Sequence, residues 1–479
     1  MIRYHAAFIT QYQAVATMQT IPEFNLDLIK KYDKAGPRYT SYPTAVVFND
    51  KFDSDAYIRQ AQNSNISNAA APLSLYFHIP FCDTLCFYCA CNKIATKKRD
   101  KADIYLDYLD KEMAMHAALY DKDRKIEQMH FGGGTPTFLT DSQFDRMMTM
   151  IAKHFPIIDN EQRDYSIEID PRSVTKASIQ KLADHGFNRF SLGVQDVNLK
   201  VQKAVNRIQP TQMVIDIIQA CRDVNARSIS VDLIYGLPFQ TLQSFSETID
   251  TLIDIAPDRL SVFNYAHMPH LFSPQKRINT EDLPKAEEKL AILQMSIEKL
   301  TKAGYVYIGM DHFAKPDDEL AIAQANGTLQ RNFQGYTTHA ELDLVAIGVS
   351  SISSVNHSFS QNVKSLEQYY AILDNNKLPI YRGYLLNDDD LLRKQIIQKI
   401  ACQFELDLKE IEKAFNINFD EYFAKEMQDL KAMQEDGLLQ LNNRVMTVSG
   451  AGRILVRHIC MTFDIYLRKQ TNQRFSKVI

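Results

Sequence analysis

Between Ala70 and about Leu300 the apolar positions switch repeatedly between two periods. Short, mostly apolar runs read as strands: Leu73–Ile79, Glu127–Phe131, Tyr165–Ile169, Arg189–Val194, Ile229–Ile234 and Leu260–Tyr265. Between them, stretches with helical spacing read as helices, for example Ala102–Leu119, Asp141–Ala152, Lys176–Asp184, Met213–Val224 and Leu242–Ile255. Strands that alternate with helices in this way imply right-handed parallel crossovers and an α/β fold. A partial (β/α)6 barrel fits the pattern, and so does an open doubly wound sheet. In both, ligands bind at the C-terminal ends of the strands, and that rule selects the residues worth reading closely.

The flanks have a different character. Residues 1–25 form an extension expected to be disordered: as far as Ile21 it has no acidic residue, and Arg3 is its one strong base. Transit peptides are rich in Arg and Ser as well as poor in acids, so that reading is weak. Residues 26–69 read as an N-terminal arm, in which Gly36-Pro37 and Pro43 disfavour helix. After the core at 70–303, residues 304–365 read as a barrel extension. There Tyr305–Phe313 is expected to be one further strand ending in Gly309, Asp311 and His312. Residues 366–479, rich in Lys, Asp, Glu and Leu, read as a helical C-terminal domain over the barrel mouth, with a basic end.

The chain has 479 residues, 45% of them hydrophobic, which is enough for two or three domains. A net charge of −4 and a pI near 6.3 give no nucleic-acid footprint. No apolar run reaches the length of a membrane span. Seven cysteines, four of them within ten residues, suggest thiols kept reduced in a cytoplasmic setting rather than a disulfide framework.

Those four cysteines stand in Cys82-Asp-Thr-Leu-Cys86-Phe-Tyr-Cys89-Ala-Cys91, directly after the first predicted strand. Thiolates are the preferred ligands of iron–sulfur clusters and of structural zinc. The spacing differs from both common ferredoxin runs. Three thiolates at Cys82, Cys86 and Cys89 could hold three irons of a four-iron cube and leave the fourth open to a ligand. Four-cysteine zinc is the alternative, although Cys91 follows Cys89 too closely to suit one tetrahedral centre.

Successive strand ends then add polar and glycine residues. Gly132-Gly-Gly-Thr135 follows the second strand, and such glycines let a ligand approach the backbone closely. Glu168-Ile-Asp-Pro-Arg172 follows the third, Gln195-Asp196 the fourth with Asn206-Arg207 beyond it. The fifth carries Asp232 among Val231, Leu233 and Ile234, where a carboxylate needs a partner or a ligand. Asn264-Tyr-Ala266-His267 closes the sixth.

The cysteine motif is the signature of radical S-adenosylmethionine (SAM) enzymes. In its extended form, Tyr76-Phe-His-Ile-Pro-Phe-Cys82 through Cys91-Asn-Lys, it resembles the oxygen-independent coproporphyrinogen III oxidase (dehydrogenase) family of haem biosynthesis, and so does Pro37-Arg-Tyr-Thr-Ser-Tyr-Pro-Thr44 in the arm. The resemblance runs from about Leu26 to the C-terminus. It implies the partial (β/α)6 radical SAM barrel and an oxygen-sensitive [4Fe-4S] cluster on Cys82, Cys86 and Cys89. It also implies two SAM molecules in one site. Tyr76, Tyr88, Gly133, Gly134, Thr135, Glu168, Gln195, Arg207, Asp232, Ala266 and Ile352 match the family's SAM-contacting positions, with Tyr88 replacing a phenylalanine that some members carry. The implied reaction turns coproporphyrinogen III and two SAM into protoporphyrinogen IX, two CO2, two methionines and two 5′-deoxyadenosines. It needs an electron donor and an electron acceptor, whose identities the sequence does not reveal, and a monomer is the family expectation. The alternative is a related haem chaperone. Those proteins usually lack the fourth cysteine and carry H-N-x-x-Y-W, whereas this chain has Cys91, Arg331-Asn332 and no Trp. A zinc-stabilised interaction protein would leave the strand-end residues unexplained.

Overall fold

Six parallel strands follow the expected order: β1 (Leu73–Ile79), β2 (Ile126–Gly133), β3 (Asp164–Ile169), β4 (Arg189–Gln195), β5 (Ser228–Tyr235) and β6 (Arg259–Asn264). The structure is a computed structural model that describes residues 21–32, 34–339 and 341–469. Most of the expected N-terminal extension, and the basic end beyond Lys469, lie outside the described residues. Six further strands complete one open sheet: β7 (Val306–Gly309), β8 (His312–Ala314), β9 (Asp343–Ile347), β10 (Ile352–Val355), β11 (Ser358–Asn362) and β12 (Ile380–Leu385). Its order is β12-β11-β10-β9-β1-β2-β3-β4-β5-β6-β8-β7, and β9 runs parallel to β1.

On β4 and β5 burial alternates along the strand. On β4, Phe190, Leu192 and Val194 are buried against helices, whereas Ser191, Gly193 and Gln195 face the other way and are less covered. On β5 the same division sets Ile229, Val231 and Leu233 against Ser230 and Asp232. The outer face is therefore an apolar layer under the helices. The inner face is small and polar, which leaves room for a ligand where an apolar barrel would be filled by side chains. Helices Asp141–His154, Lys176–Asp184 and Leu242–Ile255 each start at a threonine (Thr140, Thr175, Thr241) in a reciprocal capping box, worth about 1 kcal/mol apiece.

Two parts of the flanks differ from expectation. Tyr305–Phe313 is a tight hairpin rather than one strand: β7 and β8 pair antiparallel, and Gly309, Met310 and Asp311 all have positive φ. The C-terminal segment is not purely helical. Among its helices, Glu405–Asp407, Leu439–Asn442 and Val445–Val448 form a three-stranded sheet whose last turn, Asn443-Arg444, has both residues at positive φ.

The arm is non-helical from Lys34 to Asp53, as the prolines require. It is held between the C-terminal helices and the hairpin: the Tyr39 hydroxyl donates to Asp464 (3.0 Å), Arg38 pairs with Asp311 (3.2 Å), and Asn49 bridges to Gly383 on β12. Helix Asp388–Gln403 covers a second hairpin, Gln330–Asn332 with Gly335–Thr337, whose Tyr336 hydroxyl donates to Ala401 O (3.1 Å).

Candidate active site at the strand C-termini

The cysteine loop leaves β1 at Pro80 and folds over the ends of β2 to β5. Three contacts pin it there. Phe87 N–H donates to Val205 O (3.0 Å), Asn206 Nδ2 donates to Leu85 O (2.9 Å), and Ile94 N–H donates to Pro80 O (2.7 Å). Cys82 and Cys86 are buried, Cys89 is half-buried, and Cys91 at the loop's exit is exposed.

The sulfurs of Cys82, Cys86 and Cys89 line one cavity of about 260 Å³, together with Gly133, Gln195, Arg207 and Asp232. Among the described residues no three His, Cys, Asp or Glu side chains converge as a single metal ion requires. Cysteines gathered around a cavity of this size have room for a multi-iron cluster.

Each sulfur has its own surroundings. Thr135 Oγ1 donates to Cys82 Sγ (3.4 Å), and burial pushes that thiol up to about 11. Arg207 Nη1 and Arg172 Nη2 point at Cys86 Sγ (3.4 and 3.6 Å). A hydrogen bond with Cys91, helped by Lys93, holds Cys89 down to about 6.

The two arginines share Asp170. Arg172 Nη2 lies 2.6 Å and Arg207 Nη1 3.2 Å from its Oδ2. Burial would raise this carboxyl, but the hydrogen bond from Arg172 and the charge of Arg207 hold it below the usual carboxylate range. Arg207 Nη2 also donates to Gly193 O (2.5 Å), while its Nε has no partner among the described residues. Gln195 sits at φ +69°, and its Oε1 is likewise buried without one. Orphaned polar atoms and a left-handed backbone inside a cavity are marks of a site built for a ligand.

The glycine run is sterically required. A Cβ on Gly134 would lie 2.7 Å from the Pro80 backbone, and one on Gly133, at φ +115°, would meet the His78 ring at 2.7 Å. Glu168 accepts from Gly133 N–H (3.2 Å) and stands between the sulfur cavity and a second one of about 320 Å³. Tyr76, His78, Cys91, Phe333 and Ile352 line that second cavity. Tyr76 stacks on His130 at 5.8 Å and 14°. Its hydroxyl donates to His78 Nδ1 (3.2 Å), and His78 Nε2–H donates to Asn92 O (3.0 Å).

Burial pushes Asp232 up to about 6, opposed by a hydrogen bond from Ser261. Ala266 is not on either cavity wall, but its carbonyl and that of Tyr88 are both held by Gln275 Nε2 (3.2 and 2.9 Å). His312, another candidate raised by the sequence, is a half-buried group on the inner face of the sheet: burial and Arg331 lower it to about 3, and its Nδ1–H donates to Met310 O (2.8 Å).

Residues 76–252 match the family model described as the Radical SAM superfamily, and residues 386–455 match the HemN C-terminal domain. A curated relative from Pseudomonas aeruginosa, oxygen-independent coproporphyrinogen III oxidase, is 50% identical over 95% of this chain and 99% of its own length. The chain belongs to the oxygen-independent coproporphyrinogen III oxidase family. The Escherichia coli relative of the same name is 45% identical over 95% of this chain and 99% of its own. A solved structure of coproporphyrinogen III oxidase from Escherichia coli, described as a radical SAM enzyme, superposes with a TM-score of 0.88 at 44% identity. That match covers 94% of this chain and all of the solved one, so barrel, extension and C-terminal segment share one family architecture.

Sequence reasoning passed over Asp170 and Arg172. Both stood in the quoted run after β3, where Glu168 drew the attention. The signal was an acid and a base two residues apart on either side of Pro171, at a strand end of an α/β fold. No helix among the described residues is long and apolar enough to cross a membrane.

Proposed function

We propose that this chain, acting as a monomer, decarboxylates two propionate side chains of coproporphyrinogen III to vinyl groups without oxygen, giving protoporphyrinogen IX. The observation that carries the reading is the convergence of Cys82, Cys86 and Cys89 with the ends of four consecutive strands on one cavity. When bound there, a [4Fe-4S] cluster and two SAM molecules supply the 5′-deoxyadenosyl radical that takes a hydrogen atom from a propionate β-carbon. Each propionate radical would then lose CO2 and pass one electron to an external acceptor, leaving a vinyl group.

The chain's own residues bind, orient and exclude water. Cys82, Cys86 and Cys89 are the cluster ligands, and Thr135, Arg172 and Arg207 direct donors at two of the sulfurs. Such donors stabilise thiolate charge and tune a cluster. Gly133 and Gly134 bring bare backbone to the cavity, where SAM's amino group can be held. Arg207 suits a SAM carboxylate, since its Nε is unpartnered among the described residues. Asp232 can accept from ribose hydroxyls or face the sulfonium. Tyr88 offers a ring, Glu168 and Gln195 offer acceptors, and Tyr76 and Ile352 bound the neighbouring cavity.

The test is an anaerobic assay of reconstituted protein with dithionite, SAM and coproporphyrinogen III. Protoporphyrinogen IX should form with two CO2 and two 5′-deoxyadenosines per product. SAM cleavage without CO2 release, combined with tight haem binding, would favour a haem chaperone instead.

A further inference from the structure

The reaction needs an electron from outside the chain, and the cysteine loop meets the surface between two basic segments. On one side lies the short helix Leu199–Ala204 with the turn after it. There Phe87 N–H donates to Val205 O (3.0 Å), and Asn206 Nδ2 donates to Leu85 O (2.9 Å). On the other side lies Ser273–Arg277, where Gln275 Nε2 donates to Tyr88 O (2.9 Å) and the Arg277 guanidinium lies 5.1 Å from the Phe87 ring. Phe87 and Tyr88 pack on Val201, Val205 and Ile278, so the loop and both segments share one small apolar core. Asn206 is exposed and Cys86 is buried. The Leu85 carbonyl that Asn206 holds is bonded to the Cys86 nitrogen, so a hydrogen bond and a few covalent bonds lead from the surface to a cluster ligand.

The surface around that route carries unpaired positive charge. Lys200 and Lys203 on the helix, and Lys276 and Arg277 on the second segment, are all exposed. Exposed lysines elsewhere on the core have carboxylates: Lys176 has Asp223, Lys181 has Asp141 and Lys299 has Asp250. Among the described residues these four cations have none at ion-pair distance, and Lys200 instead rests 4.4 Å from the Phe239 ring. The one acid of the loop, Asp83, is taken by Arg99 (2.9 Å), while Glu281 and Asp282 follow only past Ile278. Large apolar side chains stand exposed on the same elements: Leu199 (52%), Phe239 (36%) and Ile208 (51%), which directly follows Arg207. Solvated lysines alone mean little. Unpaired cations around exposed apolar side chains, over a cluster ligand, call for an acidic partner with a reason to come near the sulfurs.

We infer that Lys200, Lys203, Lys276 and Arg277, set around Leu199 and Ile208, dock a small acidic protein that carries single electrons and delivers one to the cluster. The inference rests on the proposed radical chemistry and adds where its electron enters. The carrier loses one electron and the cluster on Cys82, Cys86 and Cys89 gains it; no bond forms or breaks and no proton moves. Electron-transfer encounters bury little area, under about 1,200 Å², and are steered by charge. A charged rim that speeds encounter around a small apolar centre suits a carrier that must leave again to be recharged.

Reduced flavodoxin, an acidic FMN protein, serves as the probe, mixed anaerobically with the reconstituted chain. Cluster bleaching in stopped flow should slow by roughly tenfold or more in Lys200→Glu/Lys203→Glu at low salt, and by less in Lys276→Glu. Lys200→Arg/Lys203→Arg should keep the wild-type rate. The differences should fade as salt approaches about 1 M, where the Debye length is about 3 Å. Dithionite should reduce the same fraction of clusters in every variant, which separates docking from damage to the site. Zero-length carbodiimide coupling to the wild type, with or without cluster, should join flavodoxin carboxylates to Lys200, Lys203 or Lys276. Peptide mapping reads those cross-links even where a variant fails to fold. Cross-links confined to another face would overturn the docking surface, and so would flavodoxin rates unchanged by the charge reversals. A wild type that pairs with itself through these residues would assign the face to a second copy and equally overturn it. CO2 release with dithionite is scored separately. Its absence in the wild type counts against the decarboxylation, whereas wild-type flavodoxin rates in the reversed variants count against the docking face alone.

Discussion

The cavity over the cysteines and the cavity beside Phe333 share Glu168, Gly133 and Cys91, yet they handle charge in opposite ways. In the first, two arginines, one aspartate and a cysteine sulfur are interlocked within hydrogen-bonding distance. In the second, the wall carries Glu168 among Tyr76, His78, His130, Phe333 and Ile352, and no Lys or Arg among the described residues. A site that holds a permanent cofactor can have its charges balanced by the protein, which keeps it rigid between turnovers. The molecule therefore joins a charge-interlocked region at the sulfurs to a neighbouring cavity of aromatic, apolar and neutral polar groups, with one carboxylate, Glu168, on the border.

The comparison is broken most severely at the sulfurs. Cys82→Ala, Cys86→Ala and Cys89→Ala should each abolish the visible charge-transfer absorbance of the reconstituted protein and all turnover. Cys91→Ala, at the exposed exit of the loop, should keep iron but lose turnover. Loss of the cluster on changing Cys91, with retention after any one of the other three changes, would refute the ligand assignment.

Next in size is Asp170→Asn. It leaves Arg172 and Arg207 buried without their shared anion, which costs about 3 kcal/mol or more. Urea unfolding of the full chain without cluster reads this directly, and a change under about 1 kcal/mol would mean that the sulfur cavity is not charge-balanced as described.

Asp232→Asn should act in the opposite direction on stability. Ser191, Ser261, Glu168 and Arg207 face this carboxyl, and burial raises it to about 6 from an unfolded value near 4. A carboxyl raised on folding contributes full stability below about pH 4 and loses that contribution as pH rises through about 6. The variant should thus be more stable than wild type at pH 8, by about 2 kcal/mol, with the difference vanishing near pH 4. Turnover should nevertheless fall, as expected where a destabilised group is kept for function. A variant that is equally stable at both pH values would contradict the assigned burial.

The smallest effect belongs to Thr135→Val, which removes one O–H···S bond to Cys82 while preserving shape. Donors to sulfur favour the reduced, more negative cluster, so the potential should drop, by about 40 mV for a one-electron change worth about 1 kcal/mol. An unchanged or higher potential in a redox titration would show that this contact does not tune the cluster.

The parallel core was legible because its strands are apolar runs between well-capped helices, and Leu73–Ile79 and Leu242–Ile255 match residue for residue. The grouping of four cysteines on one loop was legible from the sequence, and their ligand roles came from the family resemblance. The β7–β8 hairpin was not, since its turn occupies only Met310 and Asp311 and apolar Ile308 and Phe313 on either side look continuous. Nor was the small C-terminal sheet, whose strands of three or four residues lie within charge-rich helical sequence. Asn443-Arg444 is its one turn signal, and Arg444 is held there by Asp420 and Glu412 from elsewhere in the chain. Tertiary pairing of that kind leaves no local periodicity to read.

The division between the two cavities is tested most directly by counting SAM and coproporphyrin on the same reconstituted samples at equilibrium. The wild type should bind two SAM and one coproporphyrin III per chain. Arg207→Ala and Asp232→Asn should lose SAM while keeping coproporphyrin. A wild type that saturates with one SAM, or an Arg207→Ala protein that keeps both SAM at wild-type affinity, would contradict the account.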